Sequence, residues 1–213
     1  AGETIQTPFW NNTRPETIHP VVDGHKKLGM LLEAGMHWMA FGVEHGHEEY
    51  RRKYVKRNYN NQLVVESMQV ARDMRIRYSV NNIAGYPLET RQLVFDTIEL
   101  NRIIHPPHAK SNFSCSTFAP FSGTFLRNVA VEHGFIAPDL LCPSNSARSV
   151  LQMPAPYLSQ DEIQGLSHAF AKYVRFPRGR WSEIRQSEKP TPQGKAIRRR
   201  LDKEYKERFL QEP

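Results

Sequence analysis

The chain has 213 residues, of which 39% are hydrophobic and 10% aromatic, enough to build the core of one domain or slightly more. Its formal net charge is +7. The segment from Lys189 to Pro213 has eight basic and four acidic residues and so carries four of the seven charges. No apolar run approaches the roughly 18 residues of a membrane helix, and no signal-peptide core is present. The sequence therefore excludes a membrane-spanning protein and predicts a cytoplasmic location.

Extended apolar segments recur about 30 to 40 residues apart, which is the length of a βαβ unit. Amphipathic segments between them predict helices, the first of which ends at Gly35 as a C-cap. This alternation predicts an α/β protein with a mostly parallel sheet, either part of a barrel or an open sheet, since four strands are too few to close an eight-stranded barrel. The predicted strands are Thr7 to Asn12, Trp38 to Val43, Arg77 to Ala84 and Asn112 to Ala119, and the helices are His25 to Gly35, Gln62 to Met74 and Leu88 to Ile104.

The periodicity lapses beyond Gly134 and resumes near the C-terminus. Ser159 and Glu162 have the spacing of a capping box, which predicts a helix from Ser159 to Tyr173. A second helix is predicted from Pro192 to Leu210, and we expect its Arg198-Arg199-Arg200 face to lie in water. Its apolar stripe consists of Ile197, Leu201, Tyr205 and Phe209.

Two predicted strands end in similar turns. The segment YSVNNIAGYPLET, from Tyr78 to Thr90, ends on Gly85 and Pro87, and the strand at Asn112 runs into a Pro-Phe-Ser-Gly-Thr sequence. Ligands of parallel α/β folds bind at the carboxyl ends of the strands. These turns therefore predict the walls of a cofactor pocket.

Four segments in this order resemble the second half of the radical S-adenosylmethionine (SAM) core, in the version found in cobalamin-binding members. They read TPFWNNTRPET, LLEAGMHWMAFGVEHGHEEYRRK, YSVNNIAGYPLET and STFAPFSGTFLRNVA. The resemblance covers roughly Gln6 to Gly134. It implies a partial TIM-like (β/α) barrel, the C-terminal half of a radical SAM (β/α)6 core, followed by a helical extension. The implied boundaries are 1–134 for the partial barrel with its third to sixth strand units, 135–158 for a linker or wrapping loop, and 159–213 for the C-terminal helices.

The resemblance also implies cofactors and a reaction. Members of this family hold a [4Fe–4S] cluster on a CxxxCxxC loop, and reductive cleavage of SAM releases a 5′-deoxyadenosyl radical or feeds methyl transfer through cobalamin. SAM, the cluster and, as an open alternative, cobalamin are therefore expected, with an electron donor such as flavodoxin or ferredoxin and a small-molecule or unknown substrate. Cys115 and Cys142 lack the required spacing. We therefore expect a fragment that is inactive alone, with the cluster ligands in upstream sequence.

Residue by residue, the resemblance assigns cofactor contacts but no catalytic residue and no metal ligand. Glu44 would accept hydrogen bonds from the ribose hydroxyls. In the fifth-strand motif an Ile packs on adenine, a Gly allows close approach of the backbone, and Glu89 braces the turn. The sixth strand end reads the adenine edge, and Arg14 would face the sulfonium or the substrate. The expected cofactor-binding residues are Glu44, Asn81, Asn82, Ile83, Gly85, Phe118, Ala119, Pro120 and Arg14.

Other interpretations of the same residues stay open. Glu44 is also placed to cap a helix near His47 to Tyr54 or to pair with Arg51 or Arg52. Asn81 and Asn82 point to opposite faces of a strand, so one of them should face the inside of the barrel. Two alternative functions are an ordinary TIM-like α/β enzyme with Glu44 and a histidine as acid and base, and a nucleic-acid-binding module on the basic C-terminal helix, which the charge pattern disfavours.

Overall fold

A computed structural model describes residues 7–105, 111–142 and 148–210 of the chain. Its sheet has four strands in the order β1-β2-β3-β4, with β1 parallel to β2 and β2 parallel to β3. The strands are β1 (Phe9–Thr13), β2 (Met36–Glu44), β3 (Tyr78–Ala84) and β4 (Ser111–Thr117). The α-helices are α1 (Gly24–Glu33), α2 (Glu48–Tyr50), α3 (Asn61–Asp73), α4 (Arg91–Ile104), α5 (Phe125–Glu132), α6 (Gln160–Arg175), α7 (Trp181–Ser187) and α8 (Pro192–Phe209).

Short elements complete this order. A π-helical turn at Arg51–Val55 follows α2, and 3-10 turns lie at Pro15–Ile18, Pro20–Val22 and Arg178–Arg180. Each predicted strand is present with ends shifted by a few residues, so the parallel sheet confirms the α/β class. The closure of a partial barrel stays a prediction. None of the described helices is both long enough and apolar enough to cross a membrane.

The described residues fall into two compact units. The first consists of those in Ala1–Asn82 and Glu99–Ser114, and the second of those in Ile83–Ile98 and Cys115–Pro213. The units share β3, α4 and β4, whose residues are divided between them. The limits of these units differ from the domain boundaries predicted at residues 134 and 158, and those boundaries stay predictions. Residues 143–147 of the predicted linker lie outside the described part of the chain.

In the first unit, helices cover one face of the sheet. Side chains alternate between the two faces of a strand, so every second residue of β2 enters the core that β2 forms with α1 and α3. Met39, Phe41 and Val43 are almost completely buried there. The helices contribute Leu28, Val64, Met68 and Ile104 to the same cluster. The remaining residues of β2 consequently face the other side of the sheet.

In the second unit, the predicted C-terminal helices are confirmed. Ser159 and Glu162 form the capping box at the start of α6. In α8, Leu201 is fully buried, and the ring of Phe209 lies 5.7 Å from that of Phe176 in an edge-to-face arrangement. The predicted apolar stripe therefore docks α8.

The prediction that the whole Arg198-Arg199-Arg200 face lies in water is wrong for Arg198. Its guanidinium donates to the carbonyl oxygens of Ser187 and Glu188 at the end of α7. The last carbonyls of a helix have no partner within it. Arg198 therefore joins α8 to α7, whereas the neighbouring Arg199 and Arg200 are exposed.

Candidate nucleoside-binding site

The face of the sheet opposite the helices of the first unit carries an open cleft of about 540 Å³. It lies over β1, β2 and β3, and aromatic and small polar side chains line it. The lining residues are Trp10, Asn12, His37, Trp38, Ala40, Ser79 and Asn81.

Glu44 ends β2 with an unusual backbone conformation. Its φ is +70°, which is uncommon for a residue with a Cβ, and the pairing of β2 with β3 shifts register between Gly42 and Glu44. The carboxylate lies directly over Gly42, since a Cβ built there would be 2.6 Å from Glu44 Oε1. Gly42 follows Ala40 by two residues, so the carboxylate lies on the cleft side of the sheet.

The Glu44 carboxylate is partly buried but accepts no hydrogen bond from the described residues. Its side chain is 18% exposed, and the nearest cationic nitrogen, Arg57 Nη2, is 3.9 Å from Oε1. Burial raises the pKa of Glu44 above the ordinary value of 4.5, and the positive charges of Arg57 and Arg14 act in the opposite direction. This carboxylate can therefore accept hydrogen bonds from a ligand.

The loop after β2 excludes the two structural roles considered for Glu44. His47, not Glu44, caps α2, because its Nδ1 accepts from the Tyr50 amide. Arg51 is fully buried, and its guanidinium donates to the carbonyl oxygens of His45 and Tyr59. The prediction of an Arg51 or Arg52 pair is therefore wrong, and Arg57 is the arginine beside Glu44.

Tyr59 fixes the end of β2 from the helix side. Its hydroxyl lies 3.3 Å from the Gly42 carbonyl oxygen and 3.2 Å from that of Val43, and the Arg51 guanidinium stacks on its ring. Burial, the largest cause, raises the pKa of Tyr59 to about 12. The neutral phenol therefore donates to the strand end that carries Glu44 at ordinary pH.

Asn81 and Asn82 lie on opposite faces of β3, as predicted. Asn81 lines the cleft and accepts a hydrogen bond from the Ser114 hydroxyl. Asn82 is 1% exposed, exchanges amide hydrogen bonds with Asn101 of α4, and donates to the Ser114 carbonyl. Asn82 therefore joins the sheet to a helix, and Asn81 is the amide that faces the cleft.

In the second unit, Glu89 braces the turn after β3, which confirms its predicted role. Its carboxylate is fully buried and accepts from the amides of Gly85, at 2.5 Å, and Tyr86, at 3.2 Å. Gly85 has a φ of +84°, and a Cβ built there would lie 2.6 Å from Ile163 of α6. The close approach that Gly85 allows in this structure is thus to a side chain of the protein.

The segment after β4, also in the second unit, is held by its backbone. The Phe118 amide donates to the Ala84 carbonyl, and the Ala119 carbonyl accepts from the Phe121 amide. Arg127 donates to the carbonyl oxygens of Pro120, Pro138 and Leu140. These bonds fix the shape of the segment, and adenine recognition by Phe118, Ala119, Pro120 and Ile83 stays a prediction.

Arg14 follows β1 and extends into solvent. Its side chain is 56% exposed, and Nη1 lies 3.7 Å from Glu16 Oε1. Such an exposed pair contributes little stability. Burial raises the pKa of Glu44 and the positive charge of Arg14 acts against this shift, which shows that the two groups interact electrostatically. The Arg14 guanidinium is therefore available to an anionic group near the end of β2.

The residues of this chain do not fit an iron–sulfur cluster. Such a cluster needs at least three cysteine thiolates in the expected motif, and the sequence has Cys115 and Cys142 alone. Burial and the nearby Glu89 carboxylate raise the pKa of the Cys115 thiol well above its usual range. Among the described residues, no group of three or more His, Cys, Asp or Glu side chains could hold a metal ion.

Sequence reasoning missed three residues around Glu44, namely Gly42, Arg57 and Tyr59. Gly42 precedes Glu44 in the sequence FGVE, and a glycine inside a strand is a signal of close approach. Arg57 and Tyr59 lie in a KRNY segment that reads as a charged surface. No feature of the sequence distinguishes them from solvated residues.

A comparison with known protein families gives a match to part of the chain. The family model of the radical SAM superfamily matches residues 8–100, which include β1, β2, β3 and most of α4. This part of the chain is therefore similar to radical SAM enzymes, a superfamily whose cofactors are SAM and usually a [4Fe–4S] cluster. No curated protein matches the chain significantly.

We expect Glu89→Ala to destabilise the second unit by about 3 kcal/mol, because it leaves two buried amide donors without an acceptor. Urea unfolding measures this change. Glu132→Ala is the control, since Glu132 is an exposed residue of α5 and its loss should change the free energy of unfolding by less than about 0.5 kcal/mol. Equal effects of the two substitutions would contradict the bracing role.

Proposed function

We propose that the chain is part of a radical SAM enzyme and that Glu44 binds the ribose of the adenosyl group. The observation that carries the proposal is the Glu44 carboxylate, which lies over Gly42 on the cleft side and accepts no hydrogen bond from the described residues. Two neighbouring hydroxyls of a ribose are donors that one carboxylate can bind together. The match of residues 8–100 to the superfamily supports this assignment.

Arg14 takes a modified role in this proposal. A guanidinium beside a sulfonium would place two positive charges together, which is unfavourable. The methionine carboxylate of SAM, or an anionic substrate group, is a better partner. We therefore assign Arg14 to a carboxylate or another anion near the end of β2.

Asn81 completes the contacts proposed in the first unit. It faces the cleft, and its amide can both donate and accept. A cluster of this family needs three cysteine ligands, and these 213 residues contain two cysteines without the required spacing. The proposal therefore assigns the cluster ligands to cysteines outside these 213 residues. The use of cobalamin, the electron donor such as flavodoxin or ferredoxin, and the cytoplasmic location stay predictions without further support.

The two alternative functions have less support. Acid–base chemistry by Glu44 and a histidine requires hydrogen-bond reach between them, and the described residues contain no such bond to Glu44. Nucleic-acid binding by α8 requires free cationic side chains. Arg198 binds the end of α7 and Arg208 donates to Glu204, which reduces the number of cationic side chains that α8 offers to a nucleic acid.

The proposal predicts that Glu44→Gln weakens binding of 5′-deoxyadenosine by about 10- to 100-fold. The substitution removes charge-assisted hydrogen bonds, each worth about 1.5–3 kcal/mol. Isothermal titration calorimetry measures the change, and this nucleoside needs no cluster for its ribose contacts. Glu49→Gln is the matched control, because Glu49 is an exposed carboxylate of the nearby helix α2 and should leave affinity unchanged. Equal affinity of the Glu44→Gln variant and the parent chain would refute the ribose role.

The affinity for the nucleoside should depend on pH through Glu44. The ionised carboxylate is the stronger acceptor, and burial raises its pKa above 4.5. Affinity should therefore fall as the pH falls through this raised pKa, at a higher pH than for an exposed glutamate. Tyr59, with a pKa of about 12, stays neutral over this range. Calorimetry across a pH series measures the midpoint.

Arg57→Met should move that midpoint to still higher pH, because it removes the positive charge nearest to Glu44. Glu44→Gln should abolish the pH dependence. Arg52→Met is the control, since Arg52 is an exposed residue of the π-helical turn that precedes Arg57. A midpoint that stays fixed or moves down in Arg57→Met would contradict the electrostatic coupling.

Gly42→Ala tests the position of the carboxylate. The added Cβ would lie 2.6 Å from Glu44 Oε1, so the flexible side chain must move. We expect a loss of nucleoside affinity of about tenfold, with little change in stability. In a Glu44→Gln background the same substitution should cause no further loss, since coupled residues are not additive. Full additivity in the double variant would place Glu44 away from the ligand.

A further inference from the structure

We propose that the cleft beside Glu44 binds an uncharged, ring-bearing part of the substrate. This inference rests on the proposed function, because it treats the cleft as the substrate side of the adenosyl site. It concerns the cleft residues of the first unit, which lie further from the strand end than Glu44.

The cleft has an aromatic side. Trp10 and Trp38 are paired positions on the adjacent strands β1 and β2, so both indoles lie on the same face of the sheet. Trp10 is 61% exposed, and the Trp38 indole N–H donates to the Ser79 hydroxyl. Large exposed aromatic surfaces stack favourably on planar rings. The pair therefore offers a platform for a ring.

Small residues follow the tryptophans toward Glu44. Asn12 pairs with Ala40, and Ala40 pairs with Ser79. In the next row Gly42 pairs with Asn81. Small side chains between the indoles and the carboxylate leave space for a ligand, and the amides and hydroxyl can bond to the edge of a ring.

The charge distribution selects the ligand class. The lining residues in the described part of the chain include no Asp, Glu, Lys or Arg, and His37 is the one titratable side chain among them. The charged groups Glu44 and Arg14 lie at the strand ends. Placing an ion against apolar and neutral surfaces without a partner is unfavourable. An uncharged ring with polar edge groups consequently fits this cleft better than a carboxylate or an ammonium.

Three matched probes test this class: benzamide, benzoate and benzylamine. The chain has three tryptophans, so its indole N–H signals in a ¹⁵N-resolved NMR spectrum report separately on Trp10, Trp38 and Trp181. We expect benzamide to shift the signals of Trp10 and Trp38 saturably, with at least about tenfold weaker effects of the two charged probes. Trp181, which packs on Phe95 and Tyr173 in the second unit, should not shift. Equal shifts from all three probes, or none, would overturn the inference.

Two variants assign the probe to the cleft. Ala40→Leu should fill the space between the indoles and Glu44 and abolish the benzamide shifts. Asn12→Leu should weaken the binding of benzamide, and it should not disturb the packing of the core because Asn12 is exposed. Unchanged benzamide binding in both folded variants contradicts the proposed location.

The 5′-deoxyadenosine titration separates this inference from the proposed function. Both cleft variants should retain nucleoside binding, whereas Glu44→Gln should weaken it by about 10- to 100-fold and keep the benzamide shifts. If the parent chain shows the benzamide shifts but does not bind the nucleoside, the ribose role of Glu44 is refuted. If the parent chain binds the nucleoside but shows no benzamide shifts, the ligand class proposed for the cleft is refuted.

Discussion

The alternation of side chains along β2 is the constraint on which the candidate site depends. Met39, Phe41 and Val43 must enter the helix-covered core, and this fixes Trp38, Ala40 and Gly42 on the opposite face. A shift of one residue would exchange the two sets and expose the core. The burial of one face therefore determines which residues line the cleft.

The strand end departs from this regular pattern. Because Gly42 has no Cβ, the Glu44 side chain can fold back over it, and the positive φ of Glu44 gives the chain the required change of direction. A non-glycine residue with a positive φ of this kind lowers the stability of the fold by about 1 kcal/mol or more. The hydrogen bonds of Tyr59 to the Gly42 and Val43 carbonyls stabilise the strand end against this strain.

The sequence allowed prediction of the features that depend on local patterns. The strand spacing and the Ser159 capping box follow from periodicity and helix-start chemistry, and the bracing role of Glu89 is implied by the family resemblance. The position of Glu44 over Gly42 and its neighbour Arg57 were not predictable, because the φ of one non-glycine residue and the path of a loop depend on tertiary contacts. The roles of Asn81 and Asn82 needed the register of β3, which decides that Asn101 bonds to Asn82.

On the open face of the sheet, the charged side chains and the uncharged lining of the cleft lie at different ends. Glu44 and Arg57 lie at the strand end, where burial raises the pKa of the Glu44 carboxyl and the nearby positive charges act against this shift. Among the described residues that line the cleft, His37 is the one acidic or basic side chain. A sugar bound at Glu44 and a separate neutral ring of the substrate in the cleft would match the two ends. Because the positive charges of Arg57 and Arg14 near Glu44 would repel a further cation, this arrangement favours an uncharged or anionic partner for the group bound at Glu44.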